Sequence, residues 1–153
     1  MKRWLQFSIV LVVPYLLLAC QASGPGTAFV SPLPPPATSP APPAAGKATI
    51  LGQVLSMSTR APLANIPVRL AEVVRQGDQA AMVLDSAFSP GDITDNHGRF
   101  IIENVSPGEY VIIIGDITSE YEVISDPSGK ARVWELAPDH VLDAAILQVG
   151  LGS

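Results

Sequence analysis

Between Gly24 and Gly46 the chain reads GPGTAFVSPLPPPATSPAPPAAG, which holds eight of its fifteen prolines and no charged residue. Proline fixes φ and removes an amide donor, so this stretch favours extended polyproline II over helix or sheet. At about 3.1 Å per residue it makes a spacer of several nanometres. A fold must therefore be built from Lys47 to Ser153, a segment about the size of one small domain.

That segment carries seven basic and fourteen acidic residues, a balance of −7 that disfavours nucleic acid as a partner. It contains no cysteine, so its core must hold it without disulfides. The hydrophobic pattern is that of strands. Ala48 to Leu55 alternates, with Ile50, Gly52 and Val54 on one side. Ile66, Val68 and Leu70 alternate until the phase breaks at Glu72-Val73, where a bulge or a strand end is expected. Met82, Leu84 and Phe88 suggest a third strand, and Phe100 with Ile102 one face of the next. Tyr110 to Ile114 is apolar throughout, as a central strand covered on both faces would be. Further strands are expected at Tyr121 to Ser125, Ala131 to Leu136 and Leu142 to Val149. No window keeps a helical period. Seven or eight short strands separated by turn signals predict an all-β, antiparallel Greek-key sandwich.

Three turns have a local mechanism. Asp95-Asn96-His97-Gly98 and Asp126-Pro127-Ser128-Gly129 have the type I pattern, with a left-handed glycine expected at Gly98. Ser106-Pro107-Gly108-Glu109 fits a type II turn, Pro107 presetting φ and Gly108 supplying a positive one. All three suggest hairpins.

In chain order, Ile50 to Val54, Ala61 to Leu70, Thr94 to Phe100 and Val105 to Ile112 form a series: G-x-V, P-L-x-x-x-V-x-L, T-D-x-x-G-x-F and P-G-x-Y. The series resembles carboxypeptidase regulatory-like domains, which belong to the transthyretin-like (prealbumin-like) sandwiches. The likeness covers about Thr49 to Gly115 and departs in the long segment Arg75 to Asp92. It implies a module that accompanies catalytic or transport domains, or decorates envelope proteins, without catalytic groups of its own.

The leader has its own pattern. Lys2-Arg3 precede an apolar run from Trp4 to Ala19, and Cys20, the sole cysteine, closes it after Leu16-Leu17-Leu18-Ala19. A basic start followed by a short apolar run is a secretory signal. It is short for a membrane-spanning helix, which needs about 20 residues. The junction resembles the lipobox of bacterial lipoprotein precursors, which implies cleavage between Ala19 and Cys20 and a diacylglyceryl group on the Cys20 sulfur. An uncleaved anchor and plain secretion are the alternatives. The expected organisation is signal peptide 1–19, lipidated cysteine and tether 20–46, and sandwich 47–153. The expected place is outside the cytoplasm, held to a bacterial outer or plasma membrane.

The chemistry of the domain is sparse. His97 lies in a turn and His140 in a loop, and no histidine pair or cysteine offers a zinc site. Asp92, Asp95 and Asn96 offer oxygen ligands to calcium, but the turn already accounts for Asp95. No nucleophile motif, cofactor motif or metal set is expected, and no catalytic residue is assigned. Tyr121 and Trp134 are the candidates for stacking a sugar ring, although the alternation of Trp134 with Arg132 and Leu136 favours a core position for it. The expected function is a noncatalytic, lipid-anchored envelope module for binding or structural presentation. An accessory subunit of an extracytoplasmic enzyme or transporter, and a glycan-binding module, are the alternatives.

Overall fold

The computed structural model describes residues 40–85 and 87–151; Ala19, Cys20 and the proline-rich run up to Ser39 lie outside them. Within the described residues nine strands succeed one another: β1 (Ala48–Ser56), β2 (Pro67–Gln76), β3 (Gln79–Val83), β4 (Gly91–Ile93), β5 (Arg99–Val105), β6 (Gly108–Gly115), β7 (Tyr121–Val123), β8 (Val133–Leu136) and β9 (Val141–Val149). Among the described residues there is no helix.

The strands form two sheets. The smaller has the order β5-β1-β9. In the larger, β2 and β6 lie at the centre. β3 and β4 share one edge, pairing with different halves of β2, while β7 and β8 share the other, along β6. Nine segments thus occupy seven strand positions, in line with the expected all-β sandwich. The chain crosses between sheets after β1, β4, β5 and β8. One pairing departs from the antiparallel expectation: β1 and β9 run parallel, from Thr49↔Val141 to Ser56↔Val149. The last strand arrives from the other sheet rather than from a hairpin, so either direction is open to it.

The core fills the space between the sheets. Ile50 and Val54 of β1, Phe100 and Ile102 of β5, and Leu147 of β9 meet Val68, Leu70, Ile112, Ile114 and Leu136 from the larger sheet, all essentially buried. Each such side chain contributes about 1.5–3 kcal/mol relative to exposure. Gly52 is dictated by this packing, since a Cβ there would sit 2.9 Å from the Phe100 ring. β6 is buried on both faces from Tyr110 to Gly115, as its unbroken apolar run requires. Thr94, 2 % exposed, ties the β1–β2 connection to β4: its hydroxyl donates to the Leu63 carbonyl (2.7 Å) and accepts from the Ile66 amide (2.9 Å).

Three expectations need correction. β2 neither bulges nor ends at Glu72-Val73; it runs on in regular register with β3 to Gln76↔Gln79. The alternation fades because residues 74–76 and all of β3 are exposed, so neither face is selected for burial. The third strand stops at Val83, and Phe88 lies beyond it in a loop. The Asp85 amide donates to Ser89 Oγ, and Asp85 Oδ1 accepts from the Ala87 and Phe88 amides, closing that loop on itself. Finally, Ser106 to Glu109 is not a type II hairpin. Gly108 starts β6 with φ 159°, far from the value near +80° of that turn, and the segment is a corner between sheets. The Tyr110 hydroxyl donates to the Ser106 carbonyl at 3.0 Å and braces the corner.

Candidate binding surface

Asp95, Asp116 and Asp126 build one device three times. Each carboxylate Oδ1 accepts the amide two residues on, His97, Thr118 or Ser128, at 2.8 Å. Each backbone carbonyl accepts the amide three residues on, at 2.9 Å. Asp95 also takes the Arg99 amide and Asp126 that of Lys130. These bonds favour the ionised form. The Arg99 amide chiefly holds the Asp95 carboxyl below the usual carboxylate range, the Thr118 hydroxyl does so for Asp116, and the Ser128 hydroxyl for Asp126. Gly98 and Gly129 take the positive φ values, 72° and 82°, that end the first and third turns. The Asp95 turn joins β4 to β5 across sheets, whereas the Asp126 turn closes antiparallel chain at the Ser125↔Ala131 bridge. The hairpin turn at Asp116 has no glycine at its end, which is the signal a sequence reading relies on.

Asp92, another of the oxygen donors considered for calcium, is similarly engaged. Asp92 Oδ1 accepts from Ile93 and Oδ2 from the Ile101 amide of the other sheet (2.8 Å), so this carboxylate straps the sheets together. Among the described residues, no three His, Cys, Asp or Glu side chains converge as metal ligands would. His97 lies 3.8 Å from Asp95 on an exposed turn, and His140 serves through its carbonyl, which accepts the Thr49 amide.

The two aromatic candidates are not brought together. Trp134 is 5 % exposed and pairs with Tyr110 on the core face of the larger sheet, with the Arg132 guanidinium 4.7 Å from its ring centroid. Tyr121 is half exposed and opposite Gly115, on the outer face. A platform made of both is ruled out by the register, since neighbours on a strand alternate faces. Trp134 is a core residue.

A different aromatic stands free. Phe88 is 85 % exposed at the rim of a cleft of about 420 Å³. Leu70 and Tyr110 make its floor, and Glu72, Asp85 and Asn104 supply polar groups. Burial pushes the Tyr110 hydroxyl up, and the nearby Glu72 charge adds to it. The cleft offers a ring face and hydrogen-bonding groups, which suit noncovalent binding. Its sequence signal was the run Ser89-Pro90-Gly91, which argues for loop immediately after Phe88.

Above the cleft, Glu72 to Val83 forms an arm. Its tip is Gly77-Asp78, with Gly77 at φ 61° as the first loop position of a type II′ turn. Val74, Met82 and Val83 are each about half exposed on it. Arg75 makes a two-pronged ion pair with Glu109 of β6 (2.5 and 3.1 Å), which lowers the Glu109 carboxyl and raises the guanidinium.

No family model and no curated protein matches the chain. Among solved structures, a DUF3823 family protein from Bacteroides uniformis is similar at 20 % identity and TM-score 0.44, over 67 % of this chain and 43 % of that one. The major pilin subunit of Bacillus cereus is similar at 10 % identity and TM-score 0.43, over 67 % of this chain and 29 % of that one. The 5-hydroxyisourate hydrolase of Klebsiella pneumoniae gives 13 % identity and TM-score 0.37, over 66 % and 90 %. The chain therefore spans less than half the length of the first two. These likenesses add nothing to the all-β, two-sheet architecture described above.

Proposed function

We propose that the chain is a noncatalytic module of the bacterial cell envelope, held to a membrane through lipidated Cys20 and set off from it by the proline-rich tether. One observation supports this reading above others: the side chains with shifted ionisation serve the scaffold. Asp95, Asp116 and Asp126 are lowered by their own turns, and Glu109 by the arm's Arg75. Tyr110 alone among the described residues is shifted by burial beside a charge in a cleft, the usual mark of catalytic acids and bases, and its raised hydroxyl is committed to the Ser106 carbonyl as a brace of the corner. The work of such a module is contact. Its partner would be another envelope protein, which includes the accessory-subunit reading, and not nucleic acid.

Cys20→Ser tests the anchor. Acyl labelling should disappear and the protein should leave the membrane fraction. Unchanged attachment would overturn lipidation in favour of an uncleaved helix. Crosslinking in cells coupled to mass spectrometry identifies the partner.

Glycan binding is the second reading, and the exposed Phe88 ring beside a cleft supports a site there in preference to the Tyr121 and Trp134 pair. The Phe88 ring is presented by a loop already closed through Asp85, so a sugar would meet a preorganised face. A glycan array with the parent and with Phe88→Ala decides it. Binding by the parent that the variant loses sustains the site, and a silent parent removes it.

A further inference from the structure

Every sheet has two edges, and an edge with unpaired amides and carbonyls is a template for another strand. Five of the six edge segments here are blunted. On β5 the Ile101 amide is capped by Asp92 Oδ2. β9 is interrupted where its register with β1 shifts between Asp143 and Ile146; Ala145 there has φ 61° and its amide donates to Asp143 Oδ1. β4 and β7 are three residues long, and β8 is four with Glu135 inside it. The sixth, β3, reads Gln79-Ala80-Ala81-Met82-Val83, with no charge, no proline and no bulge, and is exposed along its whole length.

We propose that β3 is a self-association edge, pairing antiparallel with β3 of a second copy about a twofold axis through Ala81. The register of the arm sets which residues can bond a second strand. Gln76 and Gln79 flank a two-residue loop and exchange both backbone bonds, so the alternate residues Ala80 and Met82 direct their N–H and C=O groups away from β2. Centred on Ala81, Ala80 of each copy meets Met82 of the other as a hydrogen-bonded pair, and the two Ala81 residues meet as a close pair with small side chains.

Self-complementarity selects a second copy as the occupant, because a twofold pairing matches the charge-free window of β3 with itself. The domain is strongly acidic, so two copies repel over most of their surface. Gln79 to Leu84 is a charge-free window flanked by Asp78 and Asp85. In the Ala81-centred register Asp78 falls opposite Leu84 and Asp85 opposite Gly77, so no carboxylate faces another. A slip of one strand by two residues toward the tip centres the pairing on Ala80 and brings Asp78 into the ladder opposite Met82 of the other copy. This inference concerns the sandwich alone and stands apart from the anchor.

Single cysteines in the full chain carrying Cys20→Ser test it. Two Ala81→Cys side chains would lie within disulfide reach, whereas Gln79→Cys or Val83→Cys in both copies would be separated by about four residue rises, near 13 Å, and out of reach. On oxidation Ala81→Cys should give a disulfide-linked dimer at least about tenfold more abundant than either single flanking variant, a margin of one decade in equilibrium terms. Mixing Gln79→Cys with Val83→Cys should restore the crosslink. Adding Met82→Pro, which removes an outward donor, should abolish the Ala81→Cys dimer while the thermal midpoint confirms that the sandwich is intact. Equal crosslinking at all three positions, or none at Ala81→Cys, overturns the proposal, as does an Ala81→Cys protein that stays monomeric and crosslinks to a different protein.

Discussion

β2 is one continuous strand with two kinds of life. From Pro67 to Ala71 it lies between β4 and β6 inside the sandwich, with Val68, Leu70 and Ala71 fully buried. From Glu72 to Gln76 it pairs with β3, and residues 74–76 are exposed. Both halves have the same backbone and regular pairing. The contrast teaches that hydrogen-bonded register continues where burial does not, so a strand's stability and its conformation have different sources. The inner half is held by apolar burial, the outer half by a two-residue loop, a ladder and the Arg75–Glu109 pair.

The largest effect that would sharpen this contrast is Leu70→Ala, which should cost about 2–5 kcal/mol in denaturant unfolding because it leaves a void in the core. A loss under about 1 kcal/mol would mean that the inner half is not what holds the strand. Gly91→Ala comes next. Gly91 pairs with Arg69, and a new Cβ would lie 2.7 Å from the Val68 carbonyl, so the crowding should cost about 1–3 kcal/mol.

Acid should act on the turns of the sandwich and on the arm's ion pair alike, since Glu109 is lowered as the turn aspartates are. The folded-state pKa values of Asp95, Asp116 and Asp126 are lowered, so their contribution is fully present above the ordinary carboxylate value near 4. It declines as pH falls through the lowered folded values, because the unfolded chain takes up protons first. Thermal midpoints should be level from neutral pH to about 5 and drop below about 4. Asp95→Asn combined with Asp126→Asn should flatten that drop. Glu109→Gln should instead speed amide exchange in the arm. Smallest of all, Val74→Ala should change stability by no more than about 0.5 kcal/mol, and an effect like that of Leu70→Ala would break the contrast outright.

The sequence was most legible where one face of a strand meets the core. The alternation of Ile50, Gly52 and Val54, the pair Phe100 and Ile102, and the apolar run at β6 each encode a burial constraint, and each is met. The Asp95 and Asp126 turns were legible because their mechanism is local. The arm was not, since β3 buries neither face and so has no period to find. β4 is too short to alternate. Ser106-Pro107-Gly108 carries the residues of a turn, but the connection it makes is set by which sheet comes next, a long-range fact. At the candidate surface, the exposure of Tyr121 was legible and the cleft at Phe88 was not, because it is assembled from β2, β6 and two loops distant in sequence.

The parallel pairing of the first and last strands has a mechanical meaning. The chain enters β1 at Ala48 and leaves β9 beyond Val149, at opposite ends of two strands that run side by side in the same direction. Tension applied between those points draws the strands past each other along their length. The seven paired positions from Thr49↔Val141 to Ser56↔Val149 would then yield together in shear rather than one at a time.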